Sequence, residues 1–297
     1  MRHNVVRYHL EQLYHHYNSR QWVHPDPLEY LYDYPDLKDR ETVGIIASSL
    51  AYGRVAQILK SVSSVLKELG PSPHAFLESS SHRALHKIFC DFKHRFSTGE
   101  EVALMLIGIK RVITQYGSLG TCFSDKYNED DETVLPGLTS FVDELTYPFE
   151  GRTNSLLPLP EKGSACKKLN LFLRWMVRED RVDPGGWHSV PPSKLIIPLD
   201  THMHRASLLL NLTSRRNANM RTAIEITRAF LKLDPDDPTR YDFALTRLGI
   251  RKDEDLGGFL DRCGAINSSK PYFPIPNPDK PEQKRSHAKT QRKPTVY

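Results

Sequence analysis

Two stretches of the chain put polar residues where helix propensity alone would not ask for them. The first is Leu159-Pro-Glu-Lys-Gly-Ser-Ala-Cys-Lys-Lys-Leu-Asn170, a Pro/Gly turn that opens directly into a helical run. Backbone N–H groups at such a helix start are free to hold a phosphate. Ser164 is placed to cap the helix, while Lys162, Lys167 and Lys168 gather positive charge around the same point. An ordinary capped helix with surface lysines accounts for the same letters. The second stretch is Leu195-Ile-Ile-Pro-Leu-Asp-Thr-His-Met-His-Arg205. Here Ile196, Ile197, Pro198 and Leu199 deliver Asp200 to a helix N-terminus. A plain N-cap is one reading. The other is a partly buried carboxylate, crowded by His202 and His204 and tuned as an acid or base.

Asp200-Thr-His-Met-His204 also resembles the Asp-x-His-x-His metal motif of barrel amidohydrolases. That motif needs further His and Asp ligands spread over a long barrel behind it. The 93 residues after His204 read as helical and hold a single later histidine, His287. No metal is expected on this ground. The adjacent His15 and His16 lie on a Tyr-rich helix and read as solvated side chains. Cys90, Cys122, Cys166 and Cys263 form no Cys-x-x-Cys pair, so neither a zinc knuckle nor an iron–sulfur loop is written in the sequence.

The elements that must position these residues are helical, and the expected fold class is all-α. From Thr42 to Leu69 apolar residues recur at spacings of three and four, with Asp39 as the N-cap and Gly70-Pro71 as the stop. Tyr52-Gly53 divides or bends that run. Further helices are expected over Glu100–Tyr116, Leu138–Leu145 and Lys167–Arg178. Another reaches Lys232 from a Thr222/Glu225 capping box, and a last one covers Tyr241–Leu248. No alternating strand pattern of convincing length and no repeat period is present.

Taken together, the two stretches resemble the helix-hairpin-helix superfamily of base-excision DNA glycosylases, which includes endonuclease III and the 8-oxoguanine glycosylases. There a Leu-Pro-Gly-x-Gly hairpin opens a helix bearing a lysine nucleophile, and a catalytic aspartate follows in a Val-Asp-x-His context. Leu159-Pro160 and Gly163 correspond loosely to the hairpin, and Lys167-Lys-Leu-Asn170 to the Lys-x-Ala-Asn/Asp string. Pro198-Leu-Asp-Thr-His202 matches the aspartate motif closely, and Arg205 recurs in the endonuclease III type. Gly44 to Arg54 resembles the helix and loop that face the lesion. The nearest wording is that of an uncharacterised bacterial family within the superfamily, through Leu-Ala-Tyr-Gly-Arg and Phe-Leu-Arg-Trp-Met-Val-Arg, over about residues 25–265. The sequence departs from the pattern in several places. One hairpin glycine is missing, extra residues precede the lysine, Pro184–Pro192 reads as an inserted loop, and the C-terminal iron–sulfur cysteines are absent.

The resemblance implies a two-lobed helical fold. Residues 1–39 would pack with the C-terminal lobe, 40–183 would form the central lobe with the hairpin-like turn, and 184–266 would supply an insert loop and the C-terminal lobe. It also implies a DNA glycosylase with AP-lyase activity, which flips a damaged base from a duplex and attacks C1′ with Lys167. Asp200 would stabilise the cationic sugar, and Lys168 is the alternative nucleophile. Lys162, Gly163, Ser164, Asn170, His202 and Arg205 would support the pair or hold DNA. Tyr52, Gly53, Arg54, Gln57 and Trp187 are the lesion-pocket candidates. No cofactor is implied. A catalytically inactive DNA-binding protein of the same fold and a helical protein-interaction scaffold are the competing classes.

The net charge of +5 is carried by Lys280, Lys284, Arg285, Lys289, Arg292 and Lys293 against Glu282. Residues 267–297, rich in proline and poor in apolar side chains, read as a disordered basic tail. The remainder is neutral, so DNA binding would have to come from local positive ground at Lys162–Lys168. With no apolar run of membrane-spanning or signal-peptide length, a cytoplasmic protein is expected, and the resemblance implies a nucleoid-associated monomer.

Overall fold

The structure, a computed structural model, describes residues 2–250 and 256–264. The expectation of a disordered basic tail at 267–297 lies outside them. The described chain is predominantly helical. Its α-helices are α1 (Arg2–Tyr17), α2 (Leu37–Ser49), α3 (Val55–Leu69), α4 (Pro73–Ser79), α5 (His82–Phe89), α6 (Gly99–Tyr116) and α7 (Leu119–Lys126). After these come α8 (Leu135–Thr146), α9 (Lys167–Val177), α10 (Thr201–Leu209), α11 (Met220–Leu231), α12 (Asp242–Ile250) and α13 (Leu256–Arg262). A two-residue hairpin, β1 (Lys93–His94) and β2 (Ser97–Thr98), precedes α6. Among the described residues no helix is long and apolar enough to cross a membrane.

The run from Thr42 to Leu69 is two helices. Gly53 breaks it with φ +99, a conformation that favours glycine, and a Cβ there would lie 2.6 Å from the Arg95 side chain, which would have to shift. The cap of α2 is Asp36, which accepts from the Lys38 and Asp39 amides at 2.9 and 3.2 Å. Asp39 is instead buried and accepts from Ser72 Oγ and the His74 amide, tying α2 to α4. The opening of α9 also differs from expectation. Its N-cap is Cys166, left-handed at φ 48 and without a side-chain cap bond, while Ser164 Oγ accepts from the Cys166 amide further out. At α11 the cap is Asn219, accepting from the Thr222 amide at 3.0 Å. Glu225 does not reach back to the helix start, because Thr213 and Arg215 hold its carboxylate.

α9 runs through the middle of the core, buried from Leu169 to Val177. It packs against α2 at Gly44, where a Cβ would stand 3.2 Å from Phe172 and 3.3 Å from Met176. That close approach brings the end of α2, and with it the Ala51 carbonyl, to the first turn of α9. The loop after α9 is zipped back along it by Gly185 N–H to Trp175 O and Trp187 N–H to Met176 O. Trp187 therefore enters the core among Phe123, Phe141 and Phe172 at ring distances of 5.2–6.3 Å. Its indole N–H donates to the buried Glu41 at 2.9 Å. α10 packs on α12, and α12 on α1.

Candidate active site

The apolar run Leu195–Leu199 is buried and ends at Asp200, half-exposed at the start of α10. Asp200 Oδ1 accepts from the Met203 amide at 2.8 Å, so the residue is an N-cap. A cap uses one carboxylate oxygen. Asp200 Oδ2 keeps no protein hydrogen bond among the described residues, which leaves it for other work. His204, beside it, is buried and satisfied by the Arg215 carbonyl at 2.8 Å. His202 lies against α12, where a Cβ on Gly249 would stand 3.3 Å from its Nδ1. That nitrogen is buried without a partner.

Lys167 and Lys168 stand half-buried at the first turn of α9 and diverge. Lys167 Nζ donates to the Ala51 carbonyl at 3.3 Å, a long bond that ties the amine loosely to the end of α2. Lys168 Nζ donates to the Ser155 carbonyl and lies 4.5 Å from the centre of the Tyr52 ring. Burial disfavours the Lys168 ammonium first, and the neighbouring Lys167 charge adds to it. Against the opposing Glu101 carboxylate, its pKa falls to about 8. The pull toward a neutral amine thus acts on Lys168, deeper in the fold, and Lys162 remains on the exposed turn.

Around Tyr52 a chain of polar contacts fixes the wall of the site. The phenol donates to the His94 carbonyl at 2.9 Å and meets Ser97 Oγ at 2.6 Å. Ser97 meets Ser155 Oγ, and Ser155 in turn donates from its amide and hydroxyl to Glu101. His94, fully buried, bonds Ser61 Oγ at 2.9 Å and the Tyr52 carbonyl at 3.0 Å, and its pKa is lowered mainly by burial. Gln57, exposed on α3, joins this chain by donating to Ser61 Oγ at 3.1 Å. Arg54 starts α3 on the exposed surface, and Arg205 is half-buried on α10. Asn170 is buried and donates to the Ala165 carbonyl at 3.0 Å, so it fastens the turn that precedes the lysines.

The turn itself has the left-handed Gly163, φ 75, after a short 3-10 segment Pro160–Lys162. Its Gly163 carbonyl accepts from the Met220 amide at 3.2 Å, and Ser164 bridges Asn219. The start of α11 therefore holds the turn from the far side. Trp187, expected in a pocket, is 4% exposed and belongs to the aromatic core described above. The reason is packing: Glu41 satisfies its only donor, and Gly120 gives the pair room.

Three participants were not legible in the sequence. Arg95 and Phe96 form the tip of the hairpin. Arg95 reaches over Gly53, with its guanidinium 5.3 Å from the Phe96 ring, and Phe96 is 75% exposed. An exposed aromatic ring beside a cation is the one signal that could have marked them. The third is Asp242 on α12, buried and ion-paired to Arg174 of α9. Burial raises its pKa to about 6; Arg174 opposes, Asp200 adds to the rise, and Lys167 opposes. Asp242, Asp200 and Lys167 therefore share one electrostatic neighbourhood, which brings together segments 33 and 42 residues apart in the chain. Among the described residues no three His, Cys, Asp or Glu side chains converge in a metal-ligand set.

No curated protein and no solved structure matches this chain. One family model does, described as "Protein of unknown function (DUF2400)", and it spans residues 26–251, from the cap of the 3-10 segment Pro27–Asp33 to one residue past α12. That span holds the hairpin tip, the turn, both lysines, Asp200 and Asp242, and the chain belongs to this family.

Proposed function

We propose that this protein is a DNA glycosylase with AP-lyase activity and the two-lobed helix-hairpin-helix architecture, acting as a cytoplasmic, nucleoid-associated monomer without a cofactor. What supports the reading is a lysine at the first turn of α9 and an aspartate capping α10, both acting on the charge of the same buried carboxylate, Asp242. Lys167, as a neutral amine, attacks C1′ of a flipped-out nucleotide. The N–C1′ bond forms as the glycosidic bond breaks, and the base leaves with the electron pair and takes up a proton. Asp200 Oδ2 stabilises the positive charge on the sugar at that moment. Ring opening and loss of the second amine proton give the imine from which the strand is cleaved.

Several features support the rest of the complex. The left-handed turn at Gly163 and the exposed Lys162 suit a phosphate. The exposed Phe96 ring and Arg95 suit the unstacked neighbourhood of a flipped base. Tyr52 and Gly53 line the wall between them. Lys168 is the second reading for the nucleophile, favoured by its pKa near 8. Lys167 is preferred because its position matches the Lys-x-x-Asn string and, among the described residues, its amine makes one long hydrogen bond.

Borohydride trapping on duplexes carrying abasic sites and a panel of damaged bases tests the reading. Wild-type protein is expected to form a covalent adduct. Lys167→Gln should lose it by about 10³-fold or more, and Asp200→Asn should slow it by about 10²-fold while duplex binding persists. Equal trapping by Lys167→Gln overturns the assignment. Loss only in Lys168→Gln transfers the role to that residue. Salt-dependent duplex binding with no trapping on any lesion makes the protein a binding module.

A further inference from the structure

The proposed chemistry leaves one face of α11 unused. The sequence sets Arg221, Glu225, Arg228 and Lys232 at spacings of four, three and four, so they share that face. Arg215, from the loop before the helix, joins them around an open groove of about 540 Å³, with half-buried Leu212 and Ile224 between the charges. All four cations are exposed. The one carboxylate in the lining is Glu225, which Thr213 and Arg215 already hold. Arg221 and Lys232 meet no carboxylate among the described residues.

Arg228 does meet one, and it comes from outside the groove. Its Nε and Nη2 donate to the two oxygens of Glu132 at 2.7 and 2.8 Å, the two-pronged grip that a guanidinium also gives a phosphate. Glu132 ends the acidic run Glu129-Asp-Asp-Glu132. Lys194 anchors that loop by donating to the Glu129 and Asp131 carbonyls at 2.8 and 2.5 Å. The Arg228 and Glu132 side chains are 58% and 63% exposed, so their pairing stabilises the fold little and a competing anion displaces it readily.

Three observations choose the anion. The stripe starts where the turn before α9 is held: the Met220 amide donates to the Gly163 carbonyl and Asn219 bridges Ser164, next to Lys162. From Arg221 the charges then run along the helix, about 10 Å to Arg228 and about 16 Å to Lys232 at 1.5 Å per residue. A small anion covers one of these positions. A duplex strand presents a phosphate about every 3.4 Å along its axis, about five over that length, and covers all of them. Finally, among the described residues no exposed large apolar side chain stands on α11 to enter a bilayer.

We propose that this groove is a second contact for the duplex phosphate backbone, continuing from the turn, and that Glu132 occupies Arg228 as a phosphate mimic which the duplex displaces. The choice of DNA as the polyanion rests on the glycosylase reading. The contact itself reads no sequence and takes no part in base release.

Anisotropy of the full-length protein with an undamaged, labelled duplex across a salt series tests it. In Arg221→Gln/Arg228→Gln/Lys232→Gln the slope of log K against log salt should become shallower by about 2–3, since each phosphate contact contributes about 0.9. An equal loss of charge elsewhere, in Lys67→Gln/Arg83→Gln/Lys87→Gln on α3 and α5, should change it by less than about 1. All six residues are exposed and Gln keeps helix propensity, so thermal melting should not move. Glu132→Gln should raise affinity about 2- to 5-fold at low salt, and the gain should vanish in the Arg228→Gln background.

An unmoved slope in the first triple variant, or an equal change in the second, overturns the backbone contact. Binding of a poly-glutamate peptide that the first triple variant loses, with duplex binding unchanged, overturns it in favour of an acidic protein partner. A Glu132→Gln gain that persists without Arg228 overturns the mimic. A moved slope with no borohydride trapping on any lesion upholds the groove and overturns the glycosylase reading; trapping with an unmoved slope does the reverse.

Discussion

The two ends of α9 each carry a pair of cations, and they are treated in opposite ways. At the inner end Arg174 and Arg178 meet Asp183, Asp242, Asp180 and Asp237. At the outer end, among the described residues, Lys167 and Lys168 meet only backbone carbonyls and the face of Tyr52. Both pairs are shielded from water, so both pay desolvation. Only the inner pair recovers it through ionic contacts, and the guanidinium fork suits several carboxylates at once. The inner end is built to stay charged; at the outer end burial weakens the hold of Lys168 on its proton. Weakly held protons are what amine chemistry needs.

The sharpest way to break this contrast is to remove one member of each pair. Arg178→Met removes one of the two cations on buried Asp183 and the ion pairs of Asp180 and Asp237, and should cost about 3–5 kcal/mol in urea unfolding. The matching Lys167→Met should cost less than about 1 kcal/mol. Equal losses would show that the lysines are as structural as the arginines.

A smaller effect of opposite sign is expected at Lys168. Its folded-state pKa of about 8 lies below the ordinary lysine value of 10.5, so the folded chain binds fewer protons than the unfolded chain between those values. Stability from this group therefore rises with pH across that window, and its burial is most costly below pH 8. Lys168→Met should be more stable than wild type at neutral pH by about 1 kcal/mol, with the cation–π contact to Tyr52 lost against the gain. The advantage should vanish toward pH 10.5. Chemical denaturation across pH reads both parts, and a constant difference would refute the titration.

The smallest change is at the hairpin. Phe96→Ala removes a ring that is 75% exposed, so stability should move by less than about 0.5 kcal/mol. Duplex affinity should still fall several-fold, about 1 kcal/mol. Fluorescence anisotropy at fixed salt measures it, and an unchanged Kd would remove Phe96 from the proposed interface.

What the sequence revealed and what it hid follow one rule. Local signals were legible. The periodicity of α6 ends where Gly117 turns left-handed, and the apolar run before Asp200 delivers an N-cap. Signals settled by distant partners were not. Asp39 looks like a cap, but Ser72 and His74 take its carboxylate, and Asp36 caps instead. Trp187, in a Pro/Gly loop, looks available until Glu41 and three phenylalanines claim it. Asp242 had no motif, since its partner Arg174 lies 68 residues away. The hairpin strands are two residues each, too short for any alternation to register.

The bond between the Gly163 carbonyl and the Met220 amide bears on modularity. The turn and its lysines occupy one short stretch of chain, which invites treating it as a cassette to be moved into another scaffold. Yet part of what fixes the turn arrives from a helix that begins more than fifty residues later. A transplanted hairpin would carry the lysines without that second anchor. Swaps between relatives should therefore exchange the turn and the first residues of α11 together, as a discontinuous unit.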